Sequence, residues 1–210
     1  MDPASDPQLM VMIPVDVASA EGAKVVGAFN ATLQGRGIHV IDVQRVQNLH
    51  LWRTFAAFRR SVLMREGGNS SSSSSSDVAK AEARFERRWL FHGTREELTG
   101  KVAQQGFNRS YTGLTSGRAF WGKGVYFARD ALYSSSVEYS RPNTNGVQHM
   151  FLCRVVVGEY CKGEIDKLTP PPRNGNILFD ATVDDVRNPS IFVTYNDAQA
   201  YPEYLVRFRQ

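Results

Sequence analysis

The chain has 210 residues, 42% of them hydrophobic, and carries a net charge of +4 with a pI near 9.2. That length and apolar content allow one sizeable core and do not call for a second domain. The Lys and Arg residues form no continuous block, which suits an anionic ligand such as a nucleotide pyrophosphate but not the basic stripe of a nucleic-acid binder. Cys153 and Cys161 are the only cysteines and fall at or near one hydrophobic strand, so neither a zinc site nor a disulfide framework is expected. No apolar run reaches membrane-spanning length, and the opening Met-Asp-Pro-Ala-Ser-Asp-Pro lacks the basic and apolar regions of a secretory leader. An intracellular protein, cytoplasmic or nuclear, is expected, with no membrane partner and no metal. Residues 1–8 read as a flexible N-terminus or as a remnant left by excision from a larger protein.

Leu9 to Val15 reads as a strand, and Ala18 to Leu33 has helical spacing that Gly35 and Gly37 end. Gly37 to Val46 is rich in β-branched residues and reads as a strand. Leu49 to Arg65 is the clearest helix, with Leu51, Phe55, Phe58 and Val62 on one face and Arg53, Arg59 and Arg60 turned to water. Residues 67–77, with an uninterrupted serine run from Ser70 to Ser76, form a low-complexity tract. Fewer than about seventy residues precede it, too few for a separate core, so it reads as a loop insertion within one domain over residues 9–210.

Trp89 to Thr94 reads as a short strand that puts Trp89, Phe91 and Gly93 on one face and Leu90 and His92 on the other. A histidine at a strand end is more often a satisfied structural residue than a ligand contact. The glycine beside it, however, would let a planar amide approach bare backbone. Arg95 to Gln105 follows as a helix, with Thr94 as N-cap and Glu97 completing a capping box. Gly106 to Lys123 carries four glycines and reads as a mobile loop. Gly124 to Ala128 is a strand, and Asp130 is placed to cap a helix reaching Tyr139. His149 to Val157 is apolar on both faces, as in a central strand. Phe179–Val183, Ile191–Tyr195 and Tyr204–Phe208 are further strands. Many strands with few short helices, and no regular βαβ alternation, predict an α+β fold.

Four segments stand out together: Phe91-His92-Gly93-Thr94, Gly122-Lys-Gly-Val-Tyr-Phe-Ala128, the stretch bearing Ser134 and Tyr139, and Ile191-Phe-Val-Thr-Tyr195. At these residues the chain resembles the catalytic domain of the poly(ADP-ribose) polymerase family, more closely its mono-ADP-ribosylating branch. Arg45-Val-Gln-Asn48 with Leu51-Trp52, Gly106-Phe-Asn-Arg-Ser110, Thr169-Pro-Pro-Pro172, Leu178-Phe-Asp180 and Gln199-Ala-Tyr-Pro-Glu-Tyr-Leu205 carry the likeness from about Leu9 to the C-terminus. The resemblance implies an ADP-ribosyltransferase fold of antiparallel-rich split β-sheets with short flanking helices. It also implies that NAD is the donor substrate, split into nicotinamide and an ADP-ribose that passes to an acceptor.

On that resemblance, Gly93 clamps the nicotinamide carboxamide through its backbone and Ser134 adds a hydroxyl bond to it. Tyr126 and Tyr139 sandwich the cationic ring, as aromatic faces favour. His92 holds a ribose hydroxyl, and Thr94 could reach the same ribose. Polymerising members place a glutamate at the head of the Ile191 strand, and here the residue is aliphatic. Isoleucine neither accepts a hydrogen bond nor acts as a general base, so the expected product is a single ADP-ribose unit on a protein acceptor, itself among the candidates. His92, Tyr126 and Ile191 are thus the expected catalytic set. Glu203 could replace the missing acid only by leaving its place in a later strand. Arg109 and Arg118 read as solvated surface. Gly122-Lys-Gly124 is no dinucleotide fingerprint, because a strand follows it instead of a helix. Two other readings remain open at this point: an inactive NAD-binding or ADP-ribose-binding scaffold, and transfer to a nucleic-acid phosphate, although nucleic acid is not required.

Overall fold

The computed structural model describes residues 10–33, 35–67, 80, 83–111 and 118–210. The serine run, the first residues of the chain, Gly113 and Gly117 lie outside them. Before the serine tract the chain forms β1 (Met10–Val15), α1 (Ala20–Ala31), β2 (His39–Asn48) and α2 (Leu49–Gly67). Then come β3 (Glu86–Thr94), α3 (Glu96–Gln105), β4 (Val125–Ala128), α4 (Ala131–Ser134) and β5 (Gln148–Val156). Short strands follow at β6 (Tyr160–Lys162), β7 (Pro172–Asn174), β8 (Ile177–Leu178) and β9 (Ala181–Val183). β10 (Ile191–Thr194) and the long β11 (Ala200–Arg209) complete the chain.

Nine strands line up in the order β1-β2-β11-β5-β3-β4-β10-β9-β6, and β7 pairs with β8 in a separate ribbon. Every pairing in the large sheet is antiparallel except β6 with β9. The sheet is nearly divided in the middle, because β3 and β4 meet at the single pair Phe91 and Ala128. This is the α+β, antiparallel-rich and split arrangement that the sequence implies. β2, from before the serine tract, sits between β1 and the C-terminal β11.

β5 explains where the core lies. Met150 and Leu152 join Val25, Phe29, Phe91, Val206 and Phe208 on one face of the sheet. Phe151, Cys153 and Val155 join Leu90, Phe107 and Phe127 on the other. Alternate residues of one strand thus enter two apolar layers, which is why its sequence shows no polar face. Helix α1 supplies Val25 and Phe29 to the first layer. Helix α2 packs Phe55 and Val62 against Phe85, Val156 and Tyr201.

Two helix-start expectations are corrected. Thr94 does not cap α3; Arg95 stands at that position without a side-chain bond. Thr94 is the last residue of β3, buried and paired with His149 of β5, so the sheet ladder holds it. The helix after Asp130 stops at Ser134 rather than Tyr139, and turns carry the chain onward. The Asp130 carboxylate accepts from the neighbouring Arg129 guanidinium instead of capping that helix. The short strands β6, β7 and β8 carry too few apolar residues to be legible in the sequence.

Candidate active site

Antiparallel pairing puts the end of β3 beside β4, and the two strands bring His92 and Tyr126 together. His92 Nδ1 lies 2.8 Å from the carbonyl oxygen of Tyr126. A carbonyl can only accept, so Nδ1 carries the proton and Nε2 presents the lone pair of a neutral imidazole. The ring packs edge-on to Phe107, with centroids 4.9 Å apart, and tilts against Phe127. Burial pushes its pKa below the ordinary value, outweighing the bond to Tyr126, which raises it.

Tyr126 is fixed at its far end. Its hydroxyl donates to Gly122 O at 2.9 Å and accepts from Trp121 N at 3.0 Å. Burial pushes this phenol up to about 12, so it stays protonated near neutral pH. Gly122 has φ +116, and a Cβ there would stand 1.8 Å from the Tyr195 hydroxyl, so both conformation and space demand glycine.

Gly93 lies under the turn that follows α4. A Cβ at this position would meet Ser134 O at 2.3 Å, Ser140 Oγ at 2.7 Å and Tyr139 Cβ at 2.9 Å. On that side the chain itself, not open space for a ligand, requires the glycine. Ser134 is buried, and its hydroxyl donates to Phe91 O at 3.0 Å. Tyr139 stacks on Tyr133 with centroids 5.0 Å apart and planes 21° from parallel, and their hydroxyls are 2.8 Å apart. Burial, and then the bond to Tyr133, raise the Tyr139 pKa, and Tyr126 acts on the same phenol through space. Thr94 falls on the His92 face of β3 by alternation and is buried.

Ile191 enters β10 opposite Ala128 and is 4% exposed, in an apolar cluster with Ala128 and Val193 against which Tyr126, Trp121 and Tyr195 pack. Its backbone N–H donates to Asp184 Oδ1 at 3.0 Å. Burial opposes the charge on Asp184, but the Ser190 hydroxyl and the amides of Ile191 and Ser190 outweigh it and hold the group below the usual carboxylate range. Glu203 lies elsewhere, on β11, where it accepts from the Trp89 indole N–H and pairs with Arg88 at 2.9 Å. Arg109 and Arg118 stand exposed on either side of residues 112–117. His92, Gly93, Tyr126, Ser134, Tyr139 and Ile191 are therefore linked by direct contacts through β3, β4, α4 and β10. An imidazole, two phenols and a buried hydroxyl thus stand on neighbouring elements.

The family model for the poly(ADP-ribose) polymerase catalytic domain matches residues 19–174, which include every site segment except the β10 strand. The chain belongs to the poly(ADP-ribose) polymerase catalytic-domain family. Enzymes of this family use NAD as substrate. The domain is 36% identical to the human (Homo sapiens) protein mono-ADP-ribosyltransferase PARP14 over 89% of this chain and 9% of that protein. It is 34% identical to mouse (Mus musculus) protein mono-ADP-ribosyltransferase PARP12 over 99% of this chain and 27% of the relative. Against human protein mono-ADP-ribosyltransferase PARP11 it is 32% identical over 94% of this chain and 59% of the relative. The chain thus spans less than two thirds of each of these relatives. Among the described residues no cluster of His, Cys, Asp or Glu is placed to hold a metal ion. No helix among them is long and apolar enough to cross a membrane.

Ser140 and Asp184, which stand outside the set expected from sequence, touch Ser134 and Ile191, and Gln148 holds Ser135 and Ser140 behind them. Gln148 had one visible signal, a polar amide directly ahead of the apolar run of β5.

Proposed function

We propose that this domain transfers one ADP-ribose unit from NAD to a protein acceptor and releases nicotinamide. Residues 9–210 form the transferase domain, and the serine-rich tract is an insertion in it; the pairing of β2 with β11 across that tract supports this. The observation that carries the reading is one strand end: Gly93 lies against Ser134 and Tyr139 on one face of β3, while His92 on the other meets the Tyr126 carbonyl, with an apolar Ile191 beside Tyr126.

In the reaction the bond from ribose C1′ to the nicotinamide nitrogen breaks. Its electron pair leaves with nicotinamide, and C1′ becomes electron-poor until an acceptor oxygen bonds to it. Catalysis must hold the leaving ring and tolerate the developing cation. Tyr126 and Tyr139 offer π-faces to the pyridinium. The backbone of Gly93 and the hydroxyl of Ser134 bind the carboxamide, with Ser134 Oγ turning from Phe91 O to the ligand. His92 Nε2 accepts from a ribose hydroxyl, and Thr94 lies within the same strand end.

Ile191 sets the product. It cannot take the proton of an incoming ribose hydroxyl, so a chain is not extended. A protein acceptor that is already anionic, such as a carboxylate, needs no such base. The absence of a positioned base costs about 10²–10⁴-fold in rate, so turnover is slow. The names of the relatives, mono-ADP-ribosyltransferases, agree with this reading. An intracellular setting suits two unbonded cysteines.

Incubation with labelled NAD tests the proposal. Nicotinamide should appear, and mass spectrometry should find single ADP-ribose additions on the protein or a co-incubated acceptor. Binding of NAD without nicotinamide release would make the domain a scaffold. A ladder of long polymers would overturn the role given to Ile191.

A further inference from the structure

Gln148 begins β5 and is 2% exposed. A buried amide has to find partners, and Nε2 of Gln148 donates to Ser135 O at 2.9 Å and Ser140 O at 2.6 Å. Both partners are carbonyls, so only the amide nitrogen can face them. These two carbonyls bracket the turn that carries Tyr139, and Ser134 immediately precedes the first of them.

Ser140 provides a second tie. Its hydroxyl lies 2.9 Å from Ser134 O and 2.8 Å from His149 O and shares one proton between them. The same hydroxyl and the same Ser134 carbonyl occupy the space beside Gly93. β5 is the common base of this cluster. Its Met150 pairs with Gly93, and Gln148, two residues earlier, projects from the same face. Gly93 on β3, Ser134 on α4 and Tyr139 on the turn come from separate segments. Gln148 and Ser140 join the turn to β5, and Gln210 Nε2 donates at 2.6 Å to the same Ser135 carbonyl from the C-terminus; of these three only Gln148 grips both ends of the turn.

We propose that Gln148 is a positioning residue for the nicotinamide end of the donor site. It holds the 135–140 turn at the height that lets Gly93, Ser134 and Tyr139 meet one ring. It touches no reacting atom. Near-attack geometry is sensitive to displacements of about 1 Å, so a loosened turn weakens the hold on nicotinamide without touching the ADP-ribose end. This rests on the donor-site reading above.

The test uses the 210-residue chain and Gln148→Met, which keeps the side chain's length and removes both donors. Binding of nicotinamide and of ADP-ribose is measured separately by calorimetry, beside the melting temperature. Nicotinamide affinity should fall about tenfold, the equivalent of one or two lost hydrogen bonds, while ADP-ribose affinity stays within about twofold. The KM for NAD should rise more than kcat falls. Ser140→Ala, which cuts the second tie, should shift the same ligand in the same direction and serves if Gln148→Met does not fold. Unchanged nicotinamide binding in a folded variant, or equal losses for both ligands, would overturn the role of Gln148. A wild-type chain that binds neither ligand would instead overturn the donor site itself, and this role with it.

Discussion

The Nδ1–H of His92 donates to the carbonyl of Tyr126 across 2.8 Å, so one hydrogen bond between neighbouring strands sets both the tautomer of the imidazole and the height of the tyrosine. Between β3 and β4 the ladder pairs Phe91 with Ala128. The His92–Tyr126 bond adds a side-chain link across the same seam.

Replacing His92 with phenylalanine keeps a ring against Phe107 and Phe127 but removes the Nε2 acceptor. The loss of one hydrogen bond to the ribose should lower kcat/KM for NAD about 10- to 100-fold. Steady-state nicotinamide release checks the rate, and a near-native melting temperature checks that packing survives. A variant with full activity would remove His92 from the site.

Acidification should destabilise the fold through its buried imidazoles. Burial lowers the pKa of His92 and of His149 from the ordinary 6.5, although Glu96 opposes the shift at His149. His149 Nδ1 is also buried without a hydrogen-bond partner among the described residues. The unfolded chain therefore takes up protons at a pH where the folded chain does not. The stabilisation from neutral imidazole is complete above 6.5 and is lost as pH falls from there through the folded values. Melting temperatures measured from about pH 8 to about pH 5 should fall over the acidic half, and His149→Leu should flatten part of that slope. Parallel curves would assign none of it to His149.

Gly93→Ala forces a methyl group to within 2.3 Å of the Ser134 carbonyl. That atom is backbone and cannot swing away, so the strand or the turn must move. A cost of about 1–3 kcal/mol is expected, or roughly 2–4 °C of melting temperature per kcal/mol for a chain of this size. Nicotinamide binding should disappear with the shift. Native stability and binding in this variant would show that the turn can retreat freely.

Ile191→Glu would put a carboxyl group into the cluster of Ala128, Val193 and Tyr126. Burial favours its neutral form, and the substitution should cost about 1–3 kcal/mol. A neutral carboxylic acid is no general base, so the product should remain a single ADP-ribose unit near neutral pH. Gel analysis of products made with labelled NAD decides it: long chains from this variant would mean that the head of β10 admits water or a counter-charge.

The positions of His92, Gly93, Tyr126, Ser134, Tyr139 and Ile191 were legible only through the family resemblance, which rests on local motifs ordered along the chain; taken singly, each residue reads as structural. The strands around them were legible from the residues themselves. β3 alternates between two apolar layers, and β5, buried on both faces, reads as an uninterrupted run. Helix ends were less so. Thr94 has the composition of a cap, yet the ladder with His149 claims it, and no local pattern announces a strand partner 55 residues away.

The sequence by itself determined the family, through ordered local motifs, and with it which side chains are expected at a cationic ring and where isoleucine stands at the position that polymerising members give to glutamate. Only the tertiary structure decided how they meet. Gly93 is required because the Ser134 carbonyl and Ser140 hydroxyl occupy the place of its side chain, and Gln148 matters because it ends beneath a turn that begins 13 residues before it. Such contacts arise from sheet order and turn height, which depend on the packing of distant segments and leave no periodic trace along the chain.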